Sequence, residues 1–232
     1  MSARERPPLR VVVSDPKAGS RVVRVKVVGV DDIKYSETMR KSKEQERVEL
    51  PIAKVNSKLY EDLGLSVVGV MTLRFNVEGK KVKIPFKVQV DNSVPEGEVR
   101  VNGDLLAEAT GRLEAEGEAF RAKSWQLAVD ESVAIKLAGL EIGDYVDGSL
   151  LGLKGLRLKI TGGSDATGIP MHSGTPGTGR WEVLLSGPPG YRPEKEGERR
   201  RKSVRGRMIP DPRAERRKTG LAQLNLVIAY EG

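Results

Sequence analysis

The residues best equipped for chemistry in this chain are cations in one short run. Gly197-Glu198-Arg199-Arg200-Arg201-Lys202-Ser203-Val204-Arg205-Gly206-Arg207 places six basic side chains within eleven residues. Arginine suits contact with phosphate, because its planar fork donates two parallel hydrogen bonds to phosphate oxygens. Three features separate the run from a solvated charged tail. Pro188, Pro189, Gly190, Pro193, Gly197 and Gly206 punctuate it at defined points, Tyr191 supplies a ring for stacking beside Arg192, and an apolar run, Leu224–Tyr230, follows it. A basic loop held between strands is a phosphate-binding device. The expected nucleic-acid contacts are Tyr191, Arg192, Arg199, Arg200, Arg201, Lys202, Ser203, Arg205 and Arg207. Arg157, Lys159 and Arg180 extend the patch on strands, and Gly162, Gly163, Gly168, Gly187 and Gly190 permit close backbone approach.

Other chemistries fail on residue type or spacing. Cysteine is absent, so there is no disulfide framework, thiol nucleophile or cysteine-based zinc site. With one histidine, a two-histidine metal site cannot be built within one chain, and His172 has no evident relay partner. Gly162–Gly168 lacks Walker spacing, and no Gly-Lys-Ser/Thr follows it. Asp144 and Asp147 sit between glycines, where aspartate marks turns. Asp91, Asp104 and Glu108 form no pair that could share acid and base roles. The expectation is no catalytic residue, no metal, no cofactor and no small-molecule substrate.

The charge distribution agrees. The chain has 232 residues and a formal net charge of +8. Residues 1–186 carry 28 basic and 26 acidic side chains; residues 187–220 carry 12 basic and 5 acidic. Nearly all the excess therefore lies in one segment, which points to a polyanion. No apolar run reaches the roughly 18 residues that cross a bilayer, and MSARERPPLR has no apolar core after its charges. The expected setting is cytoplasmic, with no membrane partner.

The elements that must position these residues read mostly as strands. Leu9–Val13, Arg21–Val28, Ile52–Val55, 67–77, 81–90, Glu98–Val101, Leu156–Ile160 and Trp181–Leu185 are β-rich runs, many alternating apolar with basic or polar residues. The alternation in Leu156–Ile160 puts Arg157 and Lys159 on one face. Residues 31–47 read as a loop or frayed helix. AKVNSKLYEDLGL (53–65) and VRVNGDLLAEATG (99–111) share Val55/Val101, Asn56/Asn102 and Leu59/Leu105, and LAVDESVAIKLAGL (127–140) repeats the plan with Asp130. The plan is a strand, an Asn or Asp that caps a short helix, and a Gly exit. It resembles the units of small double-psi barrels. The predicted class is mostly β with short helices: a small β-barrel core plus an inserted β-rich α+β module.

Three motifs in order, GGSDATGIPM (162–171), LLSGPPGYRP (184–193) and GERRRKSVRG (197–206), resemble the archaeal and eukaryotic family of small-subunit ribosomal protein number six. The bacterial protein sharing that number is unrelated. The likeness extends back through EIGDYVDGSLLGLKG to about Ser124, forward to LNLVI, and to the start LRVVVSDPKAG. It implies a structural component of the small ribosomal subunit that binds ribosomal RNA through a small barrel, beside neighbouring ribosomal proteins, without catalysis. Short members pass almost directly from the first strand to the segment resembling 126–150. The reading is therefore the long archaeal variant, with a ribosomal-protein barrel over 1–27 and 121–232 and an inserted module over 28–120. Pro210–Gly220 also departs from the family, adding Arg213, Arg216, Arg217 and Lys218 to the expected contacts. The long serine-bearing tail of eukaryotic members has no counterpart before Gly232, so their regulatory phosphorylation is not expected. Two rivals stand beside this reading: an assembly or processing factor acting transiently on pre-ribosomal RNA, and an enzyme sited in the insertion.

Overall fold

The computed structural model describes residues 8–41, 47–77, 79–214 and 220–230. The chain divides into two compact units, Asp15–Trp125, and Met1–Ser14 together with Gln126–Gly232.

The first is a closed six-stranded barrel with the order β2-β6-β3-β5-β4-β7. Its elements are β2 (Val23–Val30), β3 (Ile52–Val55), α1 (Ser57–Asp62), β4 (Val70–Val77), β5 (Lys80–Val90), β6 (Glu98–Asn102), α2 (Gly103–Thr110) and β7 (Glu114–Arg121). Period-two alternation turns Val25, Val27, Leu73, Phe75, Ile84 and Phe86 inward and the charged residues between them outward. The barrel is two copies of one plan. Exchanging β2, β3 and β4 with β5, β6 and β7 leaves the strand order unchanged, and the parallel pairs β2–β6 and β3–β5 swap into each other. The repeat read from the sequence is this symmetry. Asn56 caps α1 by accepting from the Lys58 amide at 3.0 Å, and its Nδ2 donates to the Val94 carbonyl at 3.0 Å. Asn102 caps α2 by accepting from the Leu105 amide at 3.2 Å and donates to the Ile33 carbonyl at 2.9 Å. Each asparagine thus pins the buried loop residue that follows the first strand of the opposite copy. Asp130 makes no side-chain cap bond at α3 (Glu131–Leu137), so the third apparent copy shares composition and not this device.

The second unit is an open five-stranded sheet, with the order β8-β1-β13-β10-β9 over β1 (Leu9–Ser14), β8 (Ser124–Val129), β9 (Tyr145–Asp147), β10 (Arg157–Asp165) and β13 (Leu221–Ala229). A separate antiparallel ribbon joins β11 (Arg180–Leu185) to β12 (Arg200–Arg205). The sheet buries one face through Val11, Val13, Leu158, Ile160, Leu224, Leu226 and Ile228.

The chain is mostly β with short helices, as read. The closed barrel, however, is the segment read as the inserted module, while the flanking segments form the open sheet and ribbon. The division also falls at Asp15 and Trp125 in place of 28 and 120. The physical reason is pairing: β2 bonds in parallel to β6 and antiparallel to β7, which commits 23–30 to the barrel.

Candidate nucleic-acid interface

The ribbon sets the orientation of the basic run. Its register pairs Arg180 with Arg205, Glu182 with Ser203, Val183 with Lys202, Leu184 with Arg201 and Leu185 with Arg200. Arg200, Arg201, Lys202 and Ser203 are exposed, whereas Val204 and Arg205 are buried. Successive strand residues alternate in direction, so Arg201 and Lys202 project from opposite faces. Arg192 and Arg199 are exposed in the connection between the strands.

The basic residues fall into two groups. Four are held by carboxylates: Arg180 Nε donates to Asp165 at 2.8 Å, Arg200 Nε to Glu198 at 3.0 Å, Arg207 Nε to Glu141 at 2.7 Å and Arg213 Nη2 to Asp211 at 2.7 Å. Arg213 holds the Asp211 carboxyl down at about 2. Arg205 is only 4% exposed, and its Nη2 donates to the Thr178 carbonyl at 3.0 Å. The expectation of a phosphate contact at Arg205 is therefore corrected: its side chain ties a loop. In contrast, Arg192, Arg199, Arg201 and Lys202 have no carboxylate partner among the described residues. Arg216, Arg217 and Lys218 lie outside the described residues.

Arg157 and Lys159 are exposed on one face of β10, as the alternation required. Both approach the Tyr145 ring, Arg157 at 4.7 Å and Lys159 at 5.9 Å from its centroid, close enough for cation–π attraction. The strand register places Tyr145 opposite Lys159.

The GGSDATG loop is internal architecture. The Asp165 side chain is fully buried and accepts from the Thr167 amide (2.9 Å), the Thr167 hydroxyl (2.7 Å), the Ile169 amide (3.0 Å) and Arg180. Burial pushes this carboxyl up, and the hydrogen bonds outweigh burial, holding it below its ordinary range. Gly163 is required because a Cβ there would stand 2.4 Å from the Gln223 carbonyl oxygen. The close approach is to β13 and not to a ligand. Gly162, Gly168 and Gly190 have positive φ, Gly190 packs more loosely against the Leu185, Pro170 and Val204 side chains, and Gly187 meets no neighbour. A Cβ at Gly206 would lie 1.9 Å from the Gly177 carbonyl oxygen, a close approach that its place in the basic run does not reveal.

Tyr191 is half-buried with its phenol oxygen buried, so its ring is less available for stacking than expected. Burial and the Glu198 carboxylate hold its phenol above the usual range. The exposed aromatic residues are others: Tyr145 is 49% and Trp181 is 53% exposed. Neither stood out in the sequence. Trp181 alternates with Val183 and Leu185, a pattern that reads as an inward face, so periodicity hides it.

Among the described residues, the candidate carboxylates Asp144 and Asp147 and the lone His172 serve turns. Asp144 and Asp147 accept from the Glu141 and Ser149 amides and stabilise turns. His172 Nδ1 accepts from the Gly174 amide at 3.1 Å. Among the described residues no group of three or more His, Cys, Asp or Glu could hold a metal ion, and no helix is long and apolar enough to cross a membrane.

Comparison with known proteins gives consistent matches. The family model described as Ribosomal protein S6e matches residues 118–232. The small ribosomal subunit protein eS6 of Aeropyrum pernix is 66% identical over 227 residues, covering 97% of each chain. Those of Staphylothermus marinus and Hyperthermus butylicus are 46% and 43% identical, covering 95% and 97% of this chain and 98% of their own. These alignments run through the barrel as well as the segment that the family model matches. Among solved structures, the rationally designed mkDPBB_sym1 protein covers 44% of this chain and 100% of its own, at 17% identity and a TM-score of 0.31.

Proposed function

Because this chain belongs to the ribosomal protein S6e family, we propose that its sheet-and-ribbon unit holds small-subunit ribosomal RNA through the phosphates, using Arg192, Arg199, Arg201 and Lys202. The protein is a structural, non-enzymatic component of the small ribosomal subunit and so part of the ribosome. Its partners are ribosomal RNA and neighbouring ribosomal proteins.

The observation that carries the reading is the contrast between answered and unanswered cations. A carboxylate beside a guanidinium offsets much of its charge, so the pair attracts a phosphate less than an unpaired cation does. Four unanswered, exposed cations on one ribbon and its connection have no internal use. Arg157 and Lys159, with Tyr145, add a second basic strand face. Arg180, Arg200, Arg207 and Arg213 serve the fold first and contribute background positive potential. Folded RNA is recognised mainly through shape, phosphates and 2′-hydroxyls, so little intrinsic sequence preference is expected.

The role as a permanent constituent, against a transient assembly or processing factor, is tested by sedimentation. The full chain is expected to cosediment with mature small subunits through a high-salt gradient. The variant R199A/R201A/K202A is expected to incorporate less well. Recovery only with precursor particles, or release at high salt, favours the transient factor.

A further inference from the structure

We infer that the barrel carries a second phosphate-contacting surface, the outward face of β5, where Lys81 and Lys83 meet RNA backbone. This rests on the RNA-binding reading above and extends it to a strand outside the residues that the family model matches.

β5 contains four lysines and no acidic residue. Ile84 and Phe86 are buried and Val82 and Val88 half-buried toward the core, so Lys81, Lys83 and Lys87 share the outward face. Residues two apart on a strand stand about 6.8 Å apart, so Lys81 and Lys83 form a close pair of positive charges. Exposed lysines on a strand often protect an edge from pairing with another chain. That explanation does not apply here, because β5 is bonded to β3 on one side and β4 on the other within a closed barrel.

Several other cations on the barrel surface are answered by carboxylates. Lys26 pairs with Glu114, Lys54 with Asp32 and Lys58 with Glu96, each at 2.7–2.8 Å. Arg74, which lies opposite Lys83 in the register, is held by Glu118. Lys81 and Lys83 have no carboxylate partner among the described residues. Lys81 also borders a polar groove of about 670 Å³ lined by Arg24, Lys26, Arg74 and Asn76 together with Glu116 and Glu118.

The chemistry favours RNA over an acidic protein. Protein interfaces are anchored by buried aromatic or aliphatic side chains at their centre. The outward face of β5 offers Lys81, Lys83, Pro85, Lys87 and Gln89, with no large apolar or aromatic anchor. Phosphate binding needs charge alone, and the compact lysine ammonium follows a backbone without requiring bidentate geometry.

The test is binding of the full chain to a small-subunit ribosomal RNA transcript over a salt series. Each lost phosphate contact lowers the steepness of log K against log salt by about 0.7–0.9. K81Q/K83Q is expected to lower it by roughly 1.4–1.8, and K81R/K83R to preserve it. The ribbon variant R199A/R201A/K202A reports the earlier reading separately. If the ribbon variant flattens the slope and K81Q/K83Q does not, this inference fails and the earlier reading stands. If neither flattens it, both fail. Reduced subunit incorporation by K81Q/K83Q with an unchanged RNA slope assigns the surface to a protein neighbour and also overturns the inference.

Discussion

Asp165 offers the sharpest test of the claim that the family-like GGSDATG loop serves the fold. Its carboxylate is buried and takes hydrogen bonds from Thr167, Ile169 and Arg180. Replacing it with Ala leaves two amides, a hydroxyl and a guanidinium without their acceptor. Removing one partner of a buried ion pair costs about 3–5 kcal/mol. The Arg180 side chain is one-third exposed and recovers part of its hydration, which moves the expectation to the lower end, about 3 kcal/mol. Asp165→Asn keeps an acceptor for the amides but turns a donor toward Arg180, so about 2 kcal/mol is expected. The folded-state carboxyl lies below its ordinary range, so its stabilisation is present above the unfolded value of about 3.9 and lost as pH falls through the folded value. Urea unfolding followed by tryptophan emission at pH 7 and at pH 3 measures both effects. The gap between wild type and Asp165→Ala should be wide at pH 7 and narrower at pH 3. A gap below about 1 kcal/mol at pH 7, or one that does not narrow in acid, refutes the reasoning.

Three further outcomes are expected. Asn56→Ala and Asn102→Ala should each cost about 2 kcal/mol in thermal unfolding, since each loses a helix cap and a second bond to a buried loop; Asp130→Ala, which removes no cap bond, should cost less than about 0.5. Gly206→Ala should destabilise by about 3 kcal/mol or more by circular dichroism melting, because the added methyl meets backbone that cannot move aside. Trp181→Ala should weaken RNA binding about 5- to 150-fold if a base stacks on the exposed ring, with RNA quenching of Trp181 emission in the parent protein as the direct signal.

Much of the architecture was legible because it rests on local rules. The Asn56 and Asn102 repeats follow from capping chemistry, and the Arg157/Lys159 face follows from strand period. What the sequence did not reveal depends on partners distant in the chain. RVVRVKVV reads as a strand in either unit; only its pairing with β6 and β7 assigns it to the barrel. Charge density cannot separate Arg201, which is unanswered, from Arg207, whose carboxylate lies 66 residues away. Arg205 looked like its basic neighbours and is buried. Glycine marks positions of close approach, but at Gly163 the approaching group is the protein's own β13. Tyr145 becomes visible only when β9 is placed beside β10.

The central claim is that unanswered cations, and not basic residues in general, hold the RNA phosphates. The most direct measurement compares the salt dependence of RNA binding for wild type, R199A/R201A/K202A and Arg207→Ala. The triple variant should reduce the steepness by about 2–3. Arg207→Ala should change it by less than about 0.3, because Glu141 already neutralises that side chain. An unchanged slope in the triple variant, or a full one-contact loss on replacing Arg207, contradicts the account.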